Sequence, residues 1–291
     1  MRSSNPVFNR SPQFNGQYSD TQVHPGAGAT QAGYGAPQTG YTDPATWSTG
    51  GGQGPVTSPP MTMDSVVQKS GITFLVVVVM AAVTWMWIGD LGADTGFVNA
   101  DNLARLSTGL LVGAGGAFVL SLVNSFKRVI SPPLVLAFAA LEGVALGALS
   151  KAFDAQFGDG IVTQAVVGTF AAFAGTLAAY RFFDIKVGNK FRTFVVAAMF
   201  GMVALGLLEM VLGMFDNAIG FFGFGSLGLL FAVAGLVLGV FMLILDFDFI
   251  EKGIAARLPE AESWRAAFAL TVSLVWIYTN LLRILAIMRG D

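Results

Sequence analysis

Residues 226–245 read SLGLLFAVAGLVLGVFMLIL, twenty positions without a charge. A helix of that length rises about 30 Å, which matches the ~30 Å hydrocarbon layer of a bilayer. The apolar residues run on without alternation, and a lipid-facing barrel strand needs only about ten positions, so a strand is a poor reading. In lipid each backbone amide must be paired within its own segment, which leaves a membrane-spanning helix. Six more runs have the same character, at about 71–88, 103–123, 132–149, 161–180, 191–214 and 266–288. The expected fold is therefore an all-α membrane protein, a bundle of seven transmembrane helices.

Composition agrees. Of 291 residues, 54% are hydrophobic and 12% charged, where a soluble domain carries about 25% charge. There is no cysteine and His24 is the single histidine, which excludes disulfides, thiolate metal sites, histidine-ligated haem or zinc and a Ser-His-Asp triad. No phosphate loop or pair of opposed intramembrane aspartates stands out, so no enzyme and no resident cofactor is expected. A net charge of −2 gives no support to nucleic-acid binding.

The first sixty residues differ from the rest. They hold eight of the eleven prolines, ten glycines and four charges (Arg2, Arg10, Asp20, Asp43). Such a stretch buries too little apolar surface to offset its ordering entropy, so residues 1–64 are expected to form a disordered cytoplasmic tail, ahead of a membrane domain at 65–291. The first apolar run starts only at Ile72, so the N-terminus does not read as a secretory leader. Spaced aromatics in the tail, such as Tyr18, Tyr34 and Trp47, offer contacts for a membrane-protein partner.

With the N-terminus in the cytoplasm, twelve of the sixteen basic residues fall on the cytoplasmic side. Arg105, Lys151, Arg283 and Arg289 fall on the other. The positive-inside rule then orients the protein in the plasma membrane with its C-terminus outside. Three Gly-x-x-x-Gly pairs (Gly109/Gly113, Gly143/Gly147, Gly235/Gly239) predict close helix packing.

Ionisable residues at membrane depth carry the functional expectation, because they are expensive there and tend to face a bundle interior. Glu142 lies near the middle of span three, where it cannot snorkel. Asp246 closes span six, with Asp248 just beyond it. Asp248 and Lys252, four apart, read as an ordinary helix-surface ion pair, whereas Glu209 and Arg283 are positioned to snorkel outward.

The residues also carry a resemblance. Ala140–Gly147 (ALEGVALG) is similar to the third span of the Bax inhibitor-1 family, Leu245–Ile250 (LDFDFI) resembles the aspartate-bearing end of its sixth, and Asn280–Leu285 (NLLRIL) its seventh. The opening Met1–Phe8 (MRSSNPVF) resembles a bacterial, actinobacterial-type branch. The resemblance implies a central seventh helix surrounded by six others, and a pH-sensitive calcium leak. In bacterial relatives two aspartates, from spans six and seven, share a proton and latch the pore, with an arginine on span two as a partner. Asp246 takes the first aspartate's place, and Lys127 or Arg128 matches the arginine. The second aspartate's position is Ser273. Either Glu142 supplies the second carboxylate or this branch lacks that latch.

The reading that follows is a cation pathway gated by protonation of Asp246, Glu142 and Asp248. Lys127, Arg128 and Arg283 serve as charge partners, and Ser273 and Asn280 line the pore. Calcium or protons are the transported species. A calcium cage needs ~6–8 oxygens, so any calcium is held only transiently. The alternative is a non-transporting regulator that binds a membrane protease or stress-response partner through its tail.

Overall fold

The computed structural model describes residues 59–91, 99–158, 160–215 and 219–290. The tail expectation for residues 1–58 lies outside them. Seven helices follow one another: α1 (Met63–Ile88), α2 (Ala100–Phe126), α3 (Pro132–Phe157), α4 (Ile161–Phe182), α5 (Asn189–Gly213), α6 (Ser226–Ala255) and α7 (Glu262–Gly290). Among the described residues there is no strand. All seven helices are long and apolar enough to cross a membrane. The bundle is a multi-pass membrane protein.

Local signals set the helix ends. Thr62 and Ser65 form a reciprocal capping box at the start of α1, each side chain accepting the other's amide at 3.1 Å. Asn99 accepts the Asp101 amide ahead of α2. Pro132 and Pro133 open α3, where their missing amides have no intrahelical partner in any case. Each helix overruns its apolar stretch at one end at least. α6 continues through Asp246–Phe249 to Ala255, because a helix whose backbone is already paired tolerates charge on its last turns.

The described chain also packs ahead of its first apolar run. Pro60 bridges to Pro259 in the α6–α7 connection. The Met61 amide donates to Leu258 at 2.7 Å, and the Glu260 amide to Pro59 at 2.8 Å. Met61 is 2% exposed among α6 and α7 side chains. Ser65 and Ser263 share a 2.7 Å hydrogen bond, and Lys69 pairs with Glu260 at 2.7 Å.

α7 is central. More than half of its most apolar window is buried, against 17–39% for the other six helices. Its backbone is lined by α1, α3, α4 and α6. The backbones of α2 and α5 stand behind α3 and α6, so four of the six surrounding helices meet α7 backbone to backbone. The outer faces are apolar: Leu111, Met86 and Phe200 are each more than 70% exposed. Patches of that extent are untenable in water and ordinary in lipid.

Glycines fix the tight side of the bundle. A Cβ on Gly113 would lie 2.5 Å from the Ala145 amide nitrogen, and one on Gly143 2.5 Å from the Val77 carbonyl oxygen. A Cβ on Gly147 would overlap the Ala81 carbonyl. The first two Gly-x-x-x-Gly pairs thus draw α1, α2 and α3 together backbone to backbone, and the third seats Asn280, Ile277 and Trp276 of α7 against α6.

Candidate functional site at the α6–α7 seam

The face of α6 that meets α7 carries Gly239, Leu243, Asp246 and Ile250, spaced 4, 3 and 4 as one helical stripe requires. Leu243, Phe247 and Ile250 pack with Leu270, Leu274 and Ile277 of α7, which sets the register between the two helices. In that register Ser273, only 1% exposed, donates its hydroxyl to Asp246 Oδ2 at 2.5 Å. The two positions that the resemblance pairs therefore face each other, with a hydroxyl where a second carboxyl would stand. Asp246 makes no ion pair among the described residues.

Asp248 belongs to a different face. Phe241 and Leu245, on the same stripe, pack with Phe191 and Val195 of α5, so Asp248 points towards α5. Lys252 Nζ lies 2.7 Å from its Oδ1, the pair that the spacing predicts. The carboxylate is not on the surface, however: its side chain is 5% exposed, and Arg192 Nη2 of α5 reaches it at 3.2 Å. Nearby, Tyr180 of α4 donates to Glu251 Oε2 at 2.7 Å. These links fasten the ends of α4 and α5 to α6.

Glu142 is half-buried on the face of α3 that holds Phe138 and Leu146. That face meets α7, where Phe138 packs edge-on against Phe268 at 4.9 Å. Glu142 has no hydrogen-bond or ion-pair partner among the described residues. The backbones of α3 and α6 make no contact, and Asp246 is not joined to Glu142.

Lys127 and Arg128 are exposed at the end of α2, whose backbone nowhere approaches α6. The Arg128 carbonyl instead accepts from Arg265 Nη2 at 3.1 Å, tying the α2–α3 connection to α7. Asn280 is buried, donates to the Trp276 carbonyl at 2.8 Å and packs on Gly235.

Glu209 and Arg283 do not snorkel. Glu209 is 6% exposed and accepts the amides of Ile219 and Gly220, at 3.0 and 2.7 Å. Arg283 donates to the Phe221 carbonyl at 2.7 Å and lies over the Phe222 ring. Both are used up in holding the α5–α6 connection, whose amides and carbonyls lack helical partners and attract them.

Arg192, Tyr180 and Glu251 carry no local signal of these roles: Arg192 meets Asp248 across 56 positions and Tyr180 meets Glu251 across 71. The same holds for the 2.6 Å hydrogen bond between Ser150 of α3 and Tyr278 of α7. Chemically, the seam offers one carboxylate and one hydroxyl. That set can exchange a proton or meet a passing cation, and falls short of the ~6–8 oxygens of a calcium cage.

A family model described as Bax inhibitor 1 like matches residues 5–290. The match takes in the membrane bundle and reaches back to Asn5. No curated protein matches the chain.

Proposed function

Since the chain belongs to the Bax inhibitor 1 like family, we propose that its bundle is a cation leak, with calcium as the principal ion, gated by the protonation of Asp246. The observation that carries this reading is the Asp246–Ser273 hydrogen bond, at the seam between the central helix and α6. An ionisable group kept at such a position is expensive unless it does something. Changing its charge alters a polar link that crosses the seam between α6 and α7. Glu142, unpartnered and facing α7 from α3, is a second polar station rather than the other half of a carboxylate pair. We place the end of the bundle carrying Lys69, Arg128, Arg192 and Lys252 in the cytoplasm of a cell bounded by its plasma membrane, on the strength of the basic-residue asymmetry.

The test is calcium flux into liposomes containing the purified full chain, measured across pH for wild type and Asp246→Asn. The reading expects a pH-dependent flux in wild type that is flat in the variant. The same pH dependence in both would remove Asp246 as the gate, and no flux above empty liposomes would favour the regulator that acts by binding a partner.

A further inference from the structure

On the side of α7 away from Ser273 lies a crevice of about 580 Å³. The backbones of α1 and α4 never meet. Between them the crevice runs inward to a floor made by α3 and α7, including Gly147, Ser150, Thr271 and Tyr278. At ~100° per residue, Thr271, Val275 and Tyr278 share one face of α7, opposite Ser273. The lips are Val78, Met86 and Phe170, which are 60%, 71% and 58% exposed.

We propose that this crevice is a lipid site, which takes one acyl chain of a bilayer phospholipid against the central helix and places the phosphate at Lys151. Three observations support this occupant. The first is polarity. Ser150 and Tyr278 are bonded to each other at 2.6 Å, and Thr169 and Thr271 donate to carbonyls in their own helices at 2.8 Å. These four hydroxyls are committed, so the deep part of the crevice offers a polar ligand or water few partners; the remaining polar lining, Asp154 and Thr163, lies at the α3–α4 end.

The second is length. Phe74 and Met86 on the α1 wall stand twelve positions apart, about 18 Å at ~1.5 Å per residue, and one leaflet of a ~30 Å hydrocarbon layer is ~15 Å deep. The third is charge. Lys151 Nζ sits 4.7 Å from the ring centre of Trp85, which lines the crevice. Asp154, one turn on in α3, also lines the crevice, so Lys151 is the cation at an end that carries one charge of each sign. An ammonium beside an aromatic ring, at the end of an apolar slot one leaflet deep, has the charge and position to receive a phosphodiester.

The experiment places the full chain in nanodiscs of equal parts phosphatidylethanolamine and phosphatidylglycerol, releases it into mild detergent and records its native mass spectrum. One retained phospholipid per chain is expected for wild type, none for Ala82→Trp, which fills the slot from the α1 wall, and a several-fold lower retained fraction for Lys151→Gln. Val112→Trp, on the outer face of α2, controls for a bulky side chain and should retain lipid as wild type does. The proposal is overturned if wild type carries no lipid, if Ala82→Trp keeps it, or if Val112→Trp loses it equally. Should Ala82→Trp fail to fold, Lys151→Gln decides: undiminished retention rejects the site.

Discussion

Ser273 donates to Asp246 at 2.5 Å, joining α7 to α6 through a hydroxyl and a carboxyl. A hydroxyl can donate whether or not its partner carries a proton. Two carboxyls at this separation hold together only by sharing one, because both cannot ionise side by side. The seam therefore does not come apart when the proton leaves. What changes is the charge that a passing ion meets.

Ser273→Asp should convert the seam into a proton-sharing pair. At high pH both acids ionise and repel, so the variant should lose more stability as pH rises than wild type, in which a single buried carboxyl ionises. A loss of ~2 kcal/mol would lower Tm by about 4–8 °C. Thermal unfolding in detergent at pH 6 and pH 9 measures it, and equal Tm shifts for variant and wild type would show that the two positions do not interact.

Ser273→Ala leaves a carboxyl oxygen of Asp246 without its donor. Such a loss costs about 1–3 kcal/mol, and Ser273→Thr, which keeps the hydroxyl, should restore most of it. Denaturant titration of the two variants separates loss of the bond from loss of packing.

Asp248 tests whether its two cations substitute for each other. Arg192 and Lys252 are about half exposed and Asp248 is buried, so removing either cation alone should cost ≲1 kcal/mol, as for an exposed pair. Removing both, in Arg192→Gln with Lys252→Gln, strands a buried charge and should cost about 3–5 kcal/mol. Additive losses would mean that the cations act separately.

Glu209→Ala frees the amides of Ile219 and Gly220, which should exchange hydrogen at least tenfold faster. Glu209→Gln retains one acceptor oxygen and should fall between. Unchanged exchange at both amides would show that the α5–α6 connection is held by something else.

Gly147→Ala should be among the most damaging single-methyl additions, because its Cβ would overlap the Ala81 backbone carbonyl, which cannot swing aside. Gly109→Ala meets side-chain atoms rather than backbone, the nearest being the Ala148 methyl at 3.2 Å, and should be much milder. Overpacking of this kind costs about 1–3 kcal/mol or more, and the difference in Tm between the two variants measures it.

The helices were legible because lipid imposes one rule on every segment, and twenty uncharged residues such as 226–245 satisfy it in only one way. The central place of α7 was legible through the resemblance, and the close approaches through glycine spacing. What stayed hidden was which face each charge occupies. Asp246 and Asp248 are two positions apart, one turned to α7 and the other to α5, and periodicity in an all-apolar helix does not say which neighbour lies where. The partners of Glu209 and Arg283 were hidden for a related reason: the α5–α6 connection supplies backbone groups close at hand, which spares them the reach to the membrane surface. Lys127 and Arg128 match in sequence position a partner of Asp246, but no hydrogen bond or ion pair joins either to it among the described residues.

The backbone of α5 rests on α6 alone. The other helices close around α7 without a backbone contact from α5, so its docking is separable from the packing of the rest. Drift in α5 also perturbs a single backbone interface, whereas drift in α3 is felt by four. Among related chains, the fifth segment is where divergence should be widest.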